Sequence, residues 1–293
     1  MLIYVISVNN NKFIYSLKIL IIKKSFKALD GLIPFYALKV EKGMVIKMFK
    51  WEFSPNIEKT FIDYHMVSMN EPEFAFSQIY KHQHRKWIPN DNYHLIKLDY
   101  SLDLDNSFEK ILYERKTCVG QFKNNQKINK NFISKFCNLA FIGGNNRKRR
   151  RRTYPSGGAE YNIRIYIVFN EKNVHQEMVE FGNIGELNCD TGDLMIKKYK
   201  PWKEAKTAFI QEYLADTTQF SIVLSIDIHS ISKKYYDISY KLVQQEAGHI
   251  GQNIQLVSQY LGIQSVPLGG FYDTVLSNII NEKQTVLYAF LLG

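Results

Sequence analysis

Several short stretches of this sequence carry residue types that could do chemistry. The first is Lys234-Tyr235, just ahead of a long amphipathic run. A tyrosine, with a pKa of about 10, is a poor base at neutral pH unless a cation stabilises its anion. A neighbouring lysine supplies that cation, or serves as the base itself when desolvated. Taken alone, the pair also reads as an ordinary surface dipeptide. The second stretch, Pro155-Ser156-Gly157-Gly158-Ala159, sets glycines where a backbone could approach a flat ligand, beside a hydroxyl able to hydrogen-bond it. A plain turn into a strand has the same signature. The third, Ser265-Val266-Pro267-Leu268-Gly269-Gly270-Phe271, again ends in paired glycines. The fourth, Arg115-Lys116, offers two cations for a phosphate, or else complements the C-terminal dipole of the helix before it. His82 and His84 stand close together in an irregular aromatic stretch, but no cysteine or carboxylate lies beside them at ligand spacing, so no metal site is expected.

These stretches need a frame. Leu242, Val243, Ala247, Ile250, Ile254, Val257, Tyr260 and Leu261 recur at three- and four-residue intervals, which predicts a long helix over 240–261 with one buried face. Gly262 stands where a left-handed cap would end it. Its polar insertions are Glu246, His249, Gln252 and Asn253. Gln252 and Asn253 read either as exposed or as lining a site, and His249 as a satisfied core or interface histidine. Asn106 with Glu109 forms a capping-box pattern for a helix through Glu114, and Phe132 to Phe141 spaces its apolar residues as a second helix that stops at Gly143-Gly144. Tyr161 to Phe169 alternates as a half-buried strand, with Ile163, Ile165, Ile167 and Phe169 on one face and Asn162, Arg164 and Tyr166 among those on the other. A turn at Asp190-Thr191-Gly192-Asp193 joins two strands, a helix near Lys203 to Leu214 follows, and Phe220 to Ile228 is apolar enough for a central strand. A strand at Val266, a helix over Thr274 to Ile280 and a strand over Thr285 to Leu292 complete an α+β order.

The bulk properties set limits. A chain of 293 residues with 45% apolar and 14% aromatic residues buries a substantial core and is not disordered. Residues 1 to about 100 read as a separate region, with β-prone runs at Leu2 to Val8, Phe13 to Ile22 and Gly43 to Phe49. Lys12, Lys18, Lys23 and Lys24 break the apolar N-terminus into pieces too short for a bilayer, so a cytoplasmic protein without a membrane partner is expected. Cys118, Cys137 and Cys189 are far apart and odd in number, which suggests a reducing compartment. The net charge of +10 includes the run Arg147-Lys148-Arg149-Arg150-Arg151-Arg152, either a solvated loop or a grip for phosphate, nucleic acid or an acidic peptide.

Two long blocks, Glu246-Ala247-Gly248-His249-Ile250-Gly251-Gln252-Asn253 leading to Ser265–Phe271, and Arg152 to Ala159 leading into the strand at Tyr161, closely resemble the SagB-type dehydrogenases. These are the thiazole/oxazole-forming oxidases of the FMN-dependent nitroreductase superfamily. The blocks stand in the family's order, and the resemblance covers roughly the last two thirds of the chain, implying a nitroreductase-like domain over 101–293 behind a variable region at 1–100. It implies a central, mostly antiparallel sheet flanked by helices, with 240–261 as a dimer-core helix and FMN bound at a homodimer interface. Pro267, Leu268, Gly269 and Gly270 would lie beside the flavin ring with a backbone N–H near N5. Arg152, Ser156, Gly157 and Gly158 would hold the cofactor from the other side, and Gln252 and Asn253 would line the site. Arg115 and Lys116 match the phosphate-holding segment imperfectly, since Val119 and Gly120 stand where a further basic residue belongs. Lys234 and Tyr235 fall, counting back from Tyr240 and Glu246, on the family's catalytic Lys-Tyr pair. The implied activity is oxidation of azolines to azoles in a ribosomally made precursor peptide, as in streptolysin S-type pathways, with a cyclodehydratase as partner and nucleic acid not expected. The alternatives are a generic NAD(P)H-dependent nitroreductase or flavin reductase, and an inactive basic protein that binds peptide or nucleic acid.

Overall fold

A computed structural model describes residues 3–5, 18–20, 35–40, 46–51, 64–66, 68–70, 98, 101–123, 126–144, 151–235, 238–281 and 284–293. The chain divides into two compact units, Met1–Ile57 and Glu58–Gly293. The first contains two antiparallel pairs, β1 (Ile3–Val5) with β2 (Lys18–Leu20) and β3 (Phe35–Val40) with β4 (Ile46–Trp51). β1 and β2 fall inside β-prone runs, β4 overlaps the third run, and β3 lies outside them.

The second unit opens its regular structure with α1 (Ser107–Glu114) and α2 (Lys130–Cys137). Asn106 caps α1 by accepting from the backbone N–H groups of Phe108 and Glu109, whereas Glu109 accepts from Asp103 rather than closing the reciprocal half of the box. α2 runs on as a π turn, Asn138–Ile142, and stops at Gly143, whose φ of 84° is left-handed. Then come β5 (Arg164–Phe169), β6 (Ile184–Asn188) and β7 (Asp193–Lys198). The predicted helix near 203–214 is two short ones, α3 (Trp202–Ala205) and α4 (Glu212–Ala215). β8 (Phe220–Ile226) ends two residues early, because α5 (Ile228–Tyr235) begins there. Lys234 and Tyr235 therefore close a short helix. The long helix α6 (Ser239–Leu261) follows, then β9 (Ser265–Leu268), α7 (Asp273–Ile280) and β10 (Thr285–Leu292).

β5–β10 form one antiparallel sheet in the order β7-β6-β5-β8-β10-β9. Its central strands are covered on both faces, which corrects one expectation. Tyr166 was expected on a half-exposed face, yet it is wholly buried. The alternation is real but separates two packed faces. Tyr166, Val168, Val223, Ala289 and Leu291 join Trp202, Ala205, Leu276, Ile279 and Ile280 under α3 and α7. On the opposite face Phe220 meets Phe169 and Phe136, which in turn meets Phe141, beneath α2 and its π turn.

α6 lies on this second face, and a glycine sets its distance from the sheet. A Cβ on Gly251 would come within 2.8 Å of the Phe290 ring and 3.1 Å of the Tyr288 ring. Phe290 is fully buried and cannot swing aside, so the helix crosses the strand where it has no side chain. Gly248, one turn earlier and exposed, has no neighbour within 4 Å of such a Cβ. The two glycines should therefore respond oppositely. Gly248→Ala should raise stability by about 0.5–1 kcal/mol through helix propensity. Gly251→Ala should lower it by about 1–3 kcal/mol through overpacking. Urea unfolding of both variants checks this; a stabilised Gly251→Ala protein would mean that the helix does not sit this close.

Candidate functional site

The turn leading into β5 is strained. Gly158, Ala159 and Tyr161 have φ values of 61°, 56° and 52°, so two side-chain-bearing residues adopt the left-handed conformation. Such geometry costs on the order of 1 kcal/mol per residue and persists only where surrounding contacts hold it. The contacts are specific. Ser156 Oγ donates to Glu246 Oε2 (2.6 Å) on α6 and accepts from the Tyr161 N–H (2.9 Å). Gly157 packs against Leu242 of α6, where a Cβ would lie 3.3 Å from its Cδ2.

The Lys-Tyr pair closes on Gly158 from α5. A Cβ on Gly158 would sit 2.1 Å from Tyr235 Oη and 3.2 Å from Lys234 Nζ, so the phenol and the ammonium occupy the space that this glycine leaves. Lys234 Nζ donates to Glu160 Oε1 and lies 5.2 Å from the centre of the Tyr235 ring. The hydrogen bond that Lys234 donates to Glu160 raises the Lys234 pKa, so the exposed amine stays protonated. This geometry suits a lysine that acts as a cation and a tyrosine that carries the exchangeable proton.

The Ser265–Phe271 stretch forms a second centre. Leu268, Gly269 and Phe271 wall a cavity of about 290 Å³ together with Tyr240, Gln244, Ala247 and Gly248 of α6 and Val286, Leu287 and Tyr288 of β10. Gly269 is exposed, with no atom within 4 Å of where a Cβ would stand, and Gly270 accepts from the Ile210 N–H. Pro267 lies in β9 opposite Phe290. Arg115 docks on α6 by donating to Gln255 Oε1 (3.0 Å), and Lys116 beside it is exposed.

The two centres lie on opposite sides of α6. At about 100° per residue, Tyr240, Gln244, Ala247 and Gly248 lie roughly half a helical turn from Leu242, Glu246 and Asn253. Within one chain, therefore, the fold brings Gly158, Lys234 and Tyr235 together, groups Leu268 and Gly269 at the cavity, and keeps the two sets apart.

Several candidates are already engaged. The Arg152 side chain is largely buried; it donates to Tyr154 Oη (2.9 Å), pairs with Asp190 (3.6 Å) and lies 4.6 Å from the centre of the Tyr161 ring. Asn253 donates to the carbonyls of Ala140 and Thr153, tying α6 to the π turn. Gln252 and His249 are exposed. Glu246 is nearly fully buried; burial raises its pKa, and the Ser156 hydroxyl and the Ile163 backbone N–H oppose the rise. His82, His84 and residues 147–150 lie outside the described residues, and among those described no cluster of metal ligands occurs.

Sequence reasoning missed Glu160 and, at the cavity, His65. Glu160 had a signal, being the one carboxylate in the glycine turn. His65 had none: its Nδ1 meets Tyr240 Oη at 2.7 Å across 175 residues of chain.

A profile of the nitroreductase family matches residues 112–293. The chain belongs to the nitroreductase family. It is therefore flavin-dependent-oxidoreductase-like in class, and members of that family bind FMN. Its fold is nitroreductase-like, α+β, with an antiparallel sheet flanked by helices. Over 151 residues it is 24% identical to the putative nitroreductase MJ1384 of Methanocaldococcus jannaschii, covering 50% of this chain and 72% of that protein. A chain in the E. coli microcin synthetase McbBCD complex with truncated pro-MccB17 bound superposes with a TM-score of 0.64 at 18% identity, over 80% of this chain and 91% of that one. A putative nitroreductase from Ralstonia eutropha gives 0.51 at 16% identity, over 68% and 86%. At these identities the structural likenesses show a shared fold. No helix among the described residues is long and apolar enough to cross a membrane.

The buried His65–Tyr240 contact predicts a pH dependence. Burial lowers the His65 pKa from 6.5 to about 4, so the fold favours the neutral imidazole while the unfolded chain binds a proton near 6.5. Its contribution is complete above the unfolded value and is lost as pH falls from there toward the folded one. At most it amounts to roughly 3 kcal/mol. His65→Gln should flatten this part of the stability curve; urea midpoints compared near neutrality and near pH about 4.5 test it, and parallel curves for both proteins would contradict the assignment.

Proposed function

We propose that this protein is an FMN-dependent dehydrogenase that oxidises azoline rings to azoles in a ribosomally made precursor peptide, as a homodimer. The observation that carries the reading is the convergence of Lys234, Tyr235 and Glu160 on the left-handed turn at Gly158. A generic flavin reductase does not need a proton acceptor built this way. Aromatising an azoline removes one ring C–H as a proton and another hydrogen with the electron pair. Tyr235, as the phenolate, takes the proton at its oxygen and becomes the neutral phenol, and Lys234, kept protonated by Glu160, stabilises that phenolate beforehand. FMN, when bound, supplies the acceptor for the hydride.

The residues fit that cofactor. The cavity beside the open backbone of Gly269 has room for a flat ring, and Arg115 with Lys116 lies toward the same side of α6 for the phosphate. Gly157 and Gly158 stand on the other side of the helix with the Lys-Tyr pair. That separation supports a dimer in which the Gly269 centre of one chain faces the Gly158 centre of its partner, with α6 at the core. Ser156, Arg152 and Asn253 then shape the site from behind, through Glu246, Tyr161 and Thr153, rather than by holding the cofactor with their polar atoms. The likeness to a chain of a synthetase complex that holds its pro-peptide supports a peptide substrate and partner enzymes such as a cyclodehydratase.

Purified protein should be yellow, and an azoline-bearing peptide should bleach it anaerobically while NADPH hardly does; bleaching by NADPH alone would assign it to the generic reductases. Lys234→Ala and Tyr235→Phe should lose azole formation by roughly 10²–10⁴-fold and keep their flavin. Gly158→Ala should do the same, because its Cβ displaces the Tyr235 phenol. Full activity in all three would sink the assignment of roles. Mixing Tyr235→Phe with Gly269→Val protein should restore up to about a quarter of the activity in mixed dimers, since half of their sites carry neither change; no recovery, with exchange of chains demonstrated, would place both centres in one chain.

A further inference from the structure

The cavity beside Gly269 is closed by a segment that the family match does not include. The match begins at residue 112, whereas His65, Ser68 and Asn70 line the cavity. The segment is tied at both ends. Asn70 donates its N–H to Asp273 Oδ2 (2.8 Å), and the Asp273 N–H donates back to the Asn70 carbonyl (3.0 Å). At the other end His65 meets Tyr240 through Nδ1, and the Ser68 hydroxyl donates to the His65 carbonyl (2.7 Å). Each tie reaches a different wall: Asp273 begins α7, behind the Gly269 turn, and Tyr240 begins α6.

His65 is the most deeply set of the three residues this segment gives to the cavity, with 9% of its surface exposed. One ring nitrogen is used by Tyr240, and the other, Nε2, makes no hydrogen bond among the described residues. That nitrogen keeps one donor or acceptor site for a ligand in the cavity. The rest of the lining mixes the flat surface of Ala247, Leu268, Phe271, Val286, Leu287 and Tyr288 with the polar Ser68, Asn70, Gln244 and Asp273, and includes no cation.

We propose that His65 is a hydrogen-bonding residue of the Gly269 cavity, and that with Ser68 and Asn70 it shapes the cavity to receive the edge of a neutral, planar nitrogen heterocycle. Flat apolar and aromatic walls favour a planar ring, the Asp273 carboxylate in the same lining disfavours an anion, and one neutral imidazole nitrogen fixes the ring's orientation by a single donor or acceptor bond. Burial, which keeps the imidazole uncharged, makes it suited to a neutral ligand and poor for a phosphate or carboxylate. Two rings share this chemistry, the isoalloxazine of the cofactor and the azoline of the peptide. The inference rests on the proposed function for their identity, but not for the cavity.

The test is the ¹⁵N resonance of His65 in full-length protein labelled at histidine, assigned by its loss in His65→Gln. Three probes are added in turn: FMN, an azoline-bearing peptide, and 2-methylthiazoline, which needs no flavin. A shift of Nε2 on adding FMN, with an altered visible spectrum of the flavin in His65→Gln, assigns the edge to the cofactor. A shift only with the peptide, with KM for the peptide raised about fivefold to tenfold in His65→Gln and the flavin spectrum unchanged, assigns it to the substrate. FMN bound with no shift from any probe overturns this inference and leaves the proposed function standing. No FMN uptake overturns the proposed function, and 2-methylthiazoline then decides the cavity alone: a shift that His65→Gln abolishes keeps the inference, and silence ends it. Tyr240→Phe keeps the ring and removes the tie, so it should move the His65 signal in the free protein, which controls for folding.

Discussion

The close seat of one helix on one strand is the constraint behind everything else. α6 crosses β10 where Gly251 meets the edges of Phe290 and Tyr288, and a single added carbon would lift it. With the helix at that distance, its two sides are both put to use. One side receives Ser156, Gly157 and Thr153 through Glu246, Leu242 and Asn253. The other forms the floor of the Gly269 cavity and receives Arg115. A core helix would ordinarily bury one face and expose the other. Here the second face is polar and is nonetheless occupied, which explains why its sequence is amphipathic yet interrupted by Glu246 and Asn253.

The strain before β5 follows from the same arrangement. Ala159 and Tyr161 adopt left-handed backbone that a side chain disfavours, and the energy that holds them comes from the Ser156–Glu246 hydrogen bond, the Arg152–Tyr161 stacking and the Lys234–Glu160 pair. The buried Glu246 is thus central without touching any reacting group. Its carboxylate takes the only proton that Ser156 can donate, so the hydroxyl is spent on orienting the turn. Lys234 and Tyr235 meet at that turn, where their polar ends fill the space that Gly158 leaves.

A good part of this was legible in the sequence. The limits of α6, its glycine cap, the strand at β8 and the α+β order could be read from periodicity and from Gly262, since those signals are local. The π turn after α2, the split of the predicted 203–214 helix into α3 and α4, and the early end of β8 were not, because each is settled by what packs against the segment. Tyr166 shows the same limit: alternation tells which face a residue takes, and only the second layer of helices decides whether that face sees water.

The candidate site divides in the same way. Residue types and spacing marked Lys234, Tyr235, the glycine turns and Arg115 as candidates a few residues long, and each was equally an ordinary dipeptide or turn until the family resemblance weighted it. The tertiary structure alone decided that Gly158 and Gly269 lie across α6 from each other, that Arg152, Ser156 and Asn253 spend their polar atoms inside the chain, and that His65 reaches Tyr240. The physical reason is range. A turn or a cap is fixed by neighbours in sequence, whereas the partner of a buried polar group is whichever one the packed chain delivers, and for His65 that partner stands 175 residues away.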